Sequence, residues 1–124
     1  MRSLVAGFVI ALAPMLTNAA FAAEEVSSEA FNNTCRTCHS WKEGDNRLGP
    51  SLYGVIGRKA GTAPGFSYSA AVKSSGVTWD EASIDKFITN PDAFIPNNNM
   101  KPFTGVSDAG QRKKIVDFLK SNPK

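Results

Sequence analysis

Two cysteines and one histidine stand together at Cys35-Arg36-Thr37-Cys38-His39, and the 124-residue chain has no others of either type. Thiols three residues apart can each add to one of the two vinyl groups along a porphyrin edge, and the residue that follows sets an imidazole beneath the iron. A zinc site built on Cys-x-x-Cys normally recruits two further Cys or His ligands, and here only His39 is left, too close in sequence to complete a tetrahedron without carboxylate help. A thioredoxin-like redox pair needs a strand before the motif, yet Phe31-Asn32-Asn33-Thr34 holds no β-branched run. The pentapeptide is therefore read as the attachment site of one haem c, covalent through Cys35 and Cys38, with His39 as an axial ligand.

The amino terminus sets the compartment in which such a site would be made. Arg2 supplies a positive start, residues 4–16 are apolar apart from small residues and Pro14, and Ala20-Phe21-Ala22 has the small-x-small pattern that a signal peptidase reads. Residues 1–22 are expected to be a cleaved signal peptide and 23–124 the mature domain, exported to the periplasm. The apolar run is shorter than the roughly 20 residues of a comfortable membrane span; an uncleaved anchor is the alternative. The mature domain, about 100 residues, is near the size at which a hydrophobic core alone is marginal, and a buried haem would add apolar volume.

Loss of residues 1–22 also decides which side chains can complete the iron. Met1 and Met15 leave with the leader, so Met100 is the one methionine of the mature chain. It sits in the irregular stretch Asn97-Asn98-Asn99-Met100-Lys101-Pro102, an unusual place for a core-filling methionine. Met100 is expected to be the second axial ligand, an open site or a lysine being the alternatives. Imidazole plus thioether closes both faces of the iron, favours the reduced state and leaves a site suited to passing single electrons. An enzyme reading would need an open distal face with a second histidine or an arginine, so no catalytic residue is assigned.

These side chains have to be positioned by a small, mostly helical domain. A first helix is expected from a cap at Ser27 or Ser28 into the attachment site. Residues 47–65, rich in glycine with Pro50 and Pro64, read as a long ordered loop that must wrap around something. Residues 67–73 suit a short helix. Thr78 and Glu81 form a capping box for a helix bearing Ile84, Phe87 and Ile88 that stops at Asn90-Pro91. Ser107 is placed as the cap of a last helix whose apolar face is Ile115, Val116, Phe118 and Leu119, ended by Asn122-Pro123. No segment alternates over strand length. The chain carries 14 Lys and Arg against 11 Asp and Glu, and its longest basic run, Arg112-Lys113-Lys114, suits a solvated helix face better than nucleic acid.

In order and spacing, Cys35-Arg36-Thr37-Cys38-His39, Gly49-Pro50-Ser51-Leu52-Tyr53-Gly54, Gly57-Arg58-Lys59-Ala60-Gly61, Ala63-Pro64-Gly65-Phe66-Ser67-Tyr68-Ser69, Val77-Thr78-Trp79 and Ile95-Pro96 ahead of Met100 resemble class I cytochrome c of the mitochondrial and bacterial soluble type. The resemblance runs from about residue 31 to residue 119. It implies an all-α, single-domain fold of about four to five helices with long loops around a covalently bound haem. It further implies that the Pro50 carbonyl receives the His39 Nδ1 proton. Tyr68, Trp79 and Arg58 would serve the inner haem propionate, with aromatic packing and a surface salt bridge as their plainer roles. Phe31 would cross the last helix at Ile115 and Phe118.

Several positions depart from the family pattern. Phe87 stands where a tyrosine often reaches the methionine sulfur, Val72 replaces a common asparagine, and two residues instead of one separate Met100 from Phe103. Asn97, Asn98 and Asn99, with Thr34, stand where lysines are common, leaving Arg36, Lys42 and Lys101 as a weak positive patch. The expected function is a periplasmic single-electron shuttle, monomeric and free of any membrane span once mature. Its donor would be a dehydrogenase or quinol-oxidising complex and its acceptor a terminal oxidase; a permanent cytochrome subunit of a dehydrogenase or oxidase is the alternative.

Overall fold

The computed structural model describes residues 7, 9–13 and 19–122. Most of the expected leader, and Pro123 of the expected terminal stop, lie outside the described residues. The helices run in the order α1 Ala19–Thr34, α2 Ala70–Lys73, α3 Glu81–Thr89, α4 Pro91–Phe94 and α5 Ala109–Ser121. Among the described residues there is no strand, only an isolated antiparallel bridge between Lys59 and Thr78. The architecture is all-α, as expected.

Local chemistry moves several helix starts from their expected positions. α1 begins ahead of Ser27 and Ser28 because Ala19-Ala20-Phe21-Ala22-Ala23-Glu24-Glu25 is dominated by strong helix formers, whose summed propensity outweighs a serine's preference for the cap. In α2 the cap is Ser69, whose side chain accepts the Val72 N–H at 3.2 Å. The box of α3 is made by Asp80 and Ser83, not Thr78 and Glu81: Asp80 Oδ1 accepts the Ser83 N–H at 2.7 Å, and the Ser83 hydroxyl accepts the Asp80 N–H at 2.8 Å. Thr78 is held outside the helix by its bridge to Lys59. The backbone N–H of Ser83, above all, holds the Asp80 carboxyl below its ordinary range. Asp108, not Ser107, caps α5 through the Gln111 N–H at 2.8 Å, while the Ser107 carbonyl accepts from Arg112 Nη1 at 2.9 Å. Pro91 ends α3 as expected and then opens α4, with Asn90 as its cap.

The chain's two ends meet in one crossing. Phe31 of α1 is 0 % exposed and Ile115 of α5 is 1 % exposed, and the Phe31 ring stacks on that of Phe118 with centroids 4.6 Å apart. Trp41, from the loop after the attachment site, meets both rings edge-on at 6.0 Å. Asn122 Nδ2 donates to the Trp41 carbonyl at 3.2 Å, closing the C-terminal end of α5 onto that loop. α3 packs on α5 and is tied to it where Arg112 Nε meets Asp85 at 2.8 Å. The segment leading into α5 is drawn against α3 by the Val106 N–H on the Ile88 carbonyl at 2.7 Å. This close approach requires Gly105, at φ 120°, since a Cβ there would run into the Thr89 carbonyl. The remaining core, with Val55, Ala60, Trp79, Ile84, Ile88 and Ile95, joins the long loop to α3 and α4.

Because Phe31 fills the crossing completely, its loss leaves a cavity between elements at opposite ends of the sequence. Phe31→Ala is expected to destabilise the domain by about 3–5 kcal/mol. An unchanged denaturant midpoint would refute the crossing as the main clamp on the fold.

Candidate functional site

The attachment site is the frayed continuation of α1. The Cys35 N–H bonds the Phe31 carbonyl at 2.8 Å, and the Cys35 carbonyl then accepts the N–H groups of Cys38 at 3.1 Å and His39 at 2.9 Å. Such i to i+3 and i+4 spacing sets Cys35, Cys38 and His39 along one side of the turn. Its orientation is inherited from Phe31, one turn earlier in the core. Both cysteines are free thiols and half-buried. Burial, reinforced by the neighbouring Cys38, pushes the Cys35 thiol up to about 12, so it is neutral near pH 7.

His39 is 7 % exposed and its ring is fixed on two sides. Nδ1 lies 2.8 Å from the Pro50 carbonyl oxygen; a carbonyl can only accept, so the proton sits on Nδ1 and the Nε2 lone pair is left to bind a metal. The resemblance implied this bond. Against the ring lies Gly49, where an added Cβ would come within 2.7 Å of Nδ1 and 2.8 Å of Nε2. Gly49 is thus required for space and not for an unusual backbone angle. Burial is the main force holding the His39 pKa below its ordinary value, opposed by the Pro50 bond and assisted by the charge of Arg58. The imidazole is accordingly the neutral donor that axial ligation needs.

A residue that the sequence reading passed over orients the Pro50 carbonyl. The same peptide unit carries the Ser51 N–H, which donates to Asn46 Oδ1 at 2.9 Å, and Asn46 Nδ2 donates to the Pro64 carbonyl at 2.9 Å. Asn46 therefore pins the loop under His39 to the far end of the glycine-rich segment. Ser51, itself buried, adds a 2.5 Å bond from its hydroxyl to the Lys42 carbonyl. The available sequence signal is an asparagine among Gly, Asp and Pro, a setting common to many turns.

Met100 comes from a different part of the fold, the loop between α4 and α5, and it is half-buried. That loop is seated on the common core by Phe94 and Ile95. Asn97 turns the backbone at φ 65°, and the Asn98 side chain accepts the Met100 N–H at 2.9 Å. Phe87 packs its ring 5.1 Å from that of Trp79 and 6.3 Å from that of Phe94, and it offers no hydroxyl. Among the described residues no group of three or more His, Cys, Asp or Glu side chains converges to hold a metal, so the partners a zinc site would need are not gathered around Cys35 and Cys38.

Arg58, Tyr68 and Trp79 are brought toward one region. Trp79 is buried, and its backbone brackets Arg58: the Trp79 N–H bonds the Arg58 carbonyl at 2.9 Å and the Gly57 N–H bonds the Trp79 carbonyl at 2.6 Å. The half-buried Arg58 guanidinium donates to the Tyr53 carbonyl at 3.0 Å and forms no ion pair among the described residues. Burial lowers its pKa, and the Tyr68 hydroxyl lies within electrostatic reach. Tyr68 accepts the Ala63 N–H at 3.0 Å. A desolvated cation without a carboxylate is costly, and a haem propionate would neutralise it. Paired thiols, a neutral imidazole with its Nε2 available and this unmatched guanidinium together fit a haem.

A helical domain closed around a Cys-x-x-Cys-His turn, with the imidazole pinned from behind, has the build of a haem c protein. The family model described as Cytochrome c matches residues 25–123. Cytochrome c2 iso-1 of Magnetospirillum fulvum is 45% identical over 93 residues, which are 74% of this chain and 93% of that protein. Cytochrome c2 iso-2 of Magnetospirillum molischianum is 44% identical over 87 residues, 70% of this chain and 89% of that protein. The solved structure of cytochrome cH from Methylobacterium extorquens superposes with a TM-score of 0.70 at 39% identity, covering 81% of this chain and 96% of that one. The chain belongs to the cytochrome c family. It is accordingly an electron carrier with covalently bound haem c, and Cys35 and Cys38 stand at the attachment spacing.

Gly49→Ala should push the imidazole off the Pro50 carbonyl while leaving both cysteines in place. The expected result is a protein that still binds haem covalently but shows mixed-spin absorption and a lowered melting temperature. A wild-type spectrum and midpoint would show that the contact between Gly49 and His39 is not a constraint.

Proposed function

We propose that the protein is an exported single-electron shuttle, with His39 and Met100 as the axial pair. The observation that carries the reading is the His39 geometry: a buried neutral imidazole, its Nδ1 committed to Pro50, directly follows two free thiols. The bound haem supplies the one-electron Fe(III)/Fe(II) couple. Everything else is done by the chain. His39 presents a fixed nitrogen, Met100 presents a soft sulfur from a braced loop, and Arg58 offers positive charge to a propionate. Filling both axial positions from the protein leaves no place for a small substrate, so the reading is a carrier and not an enzyme.

Export is supported by the amino-terminal sequence. Within the expected leader, Val9, Ile10 and Leu12 are 90, 76 and 91 % exposed, apolar and not part of the core. The family match begins at residue 25, close to the expected cleavage point after Ala22. No helix among the described residues is long and apolar enough to cross a membrane. A monomeric periplasmic shuttle between a dehydrogenase or quinol-oxidising complex and a terminal oxidase is consistent with relatives named cytochrome c2, of which the match covers 89% and 93% of the length.

The expected docking patch is weaker than the charges alone suggest. Arg36 lies over the Trp41 ring at 4.8 Å, Lys101 is paired with Asp92, and Lys42 lies within electrostatic reach of Asp45. Electrostatic steering by this patch is correspondingly small.

Replacing Met100 by alanine should abolish the weak long-wavelength band of the oxidised protein, convert iron to a high-spin form and lower the midpoint potential, with the haem still attached. If a redox titration followed by absorption gave the wild-type potential and spectrum, Met100 would not be a ligand. For export, mass spectrometry of the native protein is expected to find an amino terminus at Ala23 with one haem added; an intact Met1 end would overturn the cleavage.

A further inference from the structure

We infer that Asn98 is the positioning residue for Met100, holding its backbone by a clamp that replaces side-chain support for the sulfur. The inference rests on the reading of Met100 as an axial ligand. Asn98 is 3 % exposed and uses both ends of its amide. Oδ1 accepts the Met100 N–H at 2.9 Å, while Nδ2 donates to the Ile95 carbonyl at 2.8 Å and to Asp92 Oδ1 at 3.1 Å. One buried side chain thus ties the methionine's amide to the end of α4, whose Pro91 and Ile95 are themselves buried.

A second tether flanks Met100 on its other side. Lys101 Nζ pairs with the same Asp92 Oδ1 that receives the Asn98 amide. Asn98, two residues before Met100, and Lys101, directly after it, therefore converge on one carboxylate oxygen, and the Met100 backbone spans the gap between them. The two tethers differ in worth. The Lys101 and Asp92 side chains are 53 and 60 % exposed, so their pair contributes little, whereas removal of the Asn98 side chain takes the acceptor from the part-buried Met100 N–H.

The clamp also accounts for what the neighbouring helix lacks. Phe87 has no hydroxyl to reach a sulfur, and its ring is engaged with Trp79 and Phe94. With Phe87 offering the thioether no hydroxyl, the loop backbone sets where the Met100 side chain starts. The sequence Asn97-Asn98-Asn99 then divides into distinct tasks: Asn97 takes the left-handed turn at φ 65°, Asn98 clamps, and Asn99 faces solvent.

The test is displacement of Met100 from the oxidised holoprotein by free imidazole, with proton NMR of the reduced protein recorded alongside. Wild type should show a methionine methyl resonance shifted far upfield by the haem ring; its absence would overturn the ligation reading itself, independently of Asn98. With that signal present, Asn98→Ala should bind imidazole about tenfold to a hundredfold more tightly, since a loop that has lost its clamp opens more easily. Asn98→Ser keeps a side-chain oxygen able to accept the Met100 N–H and should recover part of the wild-type affinity. Lys101→Gln should stay within about threefold of wild type. Phe31→Val, destabilised at the distant helix crossing, controls for general loosening. If it raised imidazole affinity as much as Asn98→Ala, or if Asn98→Ala bound imidazole like wild type, the clamp would be refuted.

Discussion

The hydrogen bond from His39 Nδ1 to the Pro50 carbonyl is the constraint around which the rest of this fold is arranged. An imidazole buried without a partner for its N–H would lose the hydration of that group and gain nothing for it. With the partner in place, the tautomer is fixed and the opposite nitrogen becomes a metal donor. The chain supports that one bond from several directions. Gly49 makes room for the ring, Asn46 takes the other half of the Pro50–Ser51 peptide unit, and Ser51 anchors the loop to Lys42. Each is a residue of a loop, and the long irregular stretch is ordered because its polar groups are paired internally and not through a ladder of strands.

The two halves of the site use asparagine in the same way. Asn46 and Asn98 each present a carbonyl oxygen to a backbone N–H beside a proposed ligand, and an amide nitrogen to a carbonyl farther off. An amide side chain suits this work because it is uncharged, carries both a donor and an acceptor, and is short enough to act on the local backbone. A carboxylate in either place would lose the donor, and at the buried Asn98 position it would also add a charge.

The attachment turn and the all-helical class were legible in the residues themselves, the turn because its residue types have few alternative uses at that spacing. The crossing of Phe31 on Ile115 and Phe118 was legible only through the family resemblance. Helix starts were less legible. Ser27, Thr78 and Ser107 are chemically able to cap, but strong helix formers ahead of Ser27, the bridge at Thr78 and the adjacent Asp108 each outcompeted them. The clamps were not legible at all, because whether an asparagine in a loop is solvated or buried depends on what the rest of the chain packs over it. How the weak positive patch is arranged was not legible for a related reason: composition counts charges, but pairing of Lys101 with Asp92 and stacking of Arg36 on Trp41 are matters of geometry.

The crossing of α1 and α5 imposes an order of events. Phe31 precedes the attachment cysteines by a single turn, yet its partners Ile115 and Phe118 and the Asn122 side chain that closes on Trp41 lie at the last part of the chain. Any chain delivered amino terminus first has its two thiols available long before the residues that bury their surroundings. Until α5 arrives, the pentapeptide sits on an unclosed helix end, accessible to whatever joins the cofactor to it. In the folded domain Cys35 is half-buried, packed against the core that the last helix completes. The surroundings of a motif near one end of the chain are thus completed by residues from the other end.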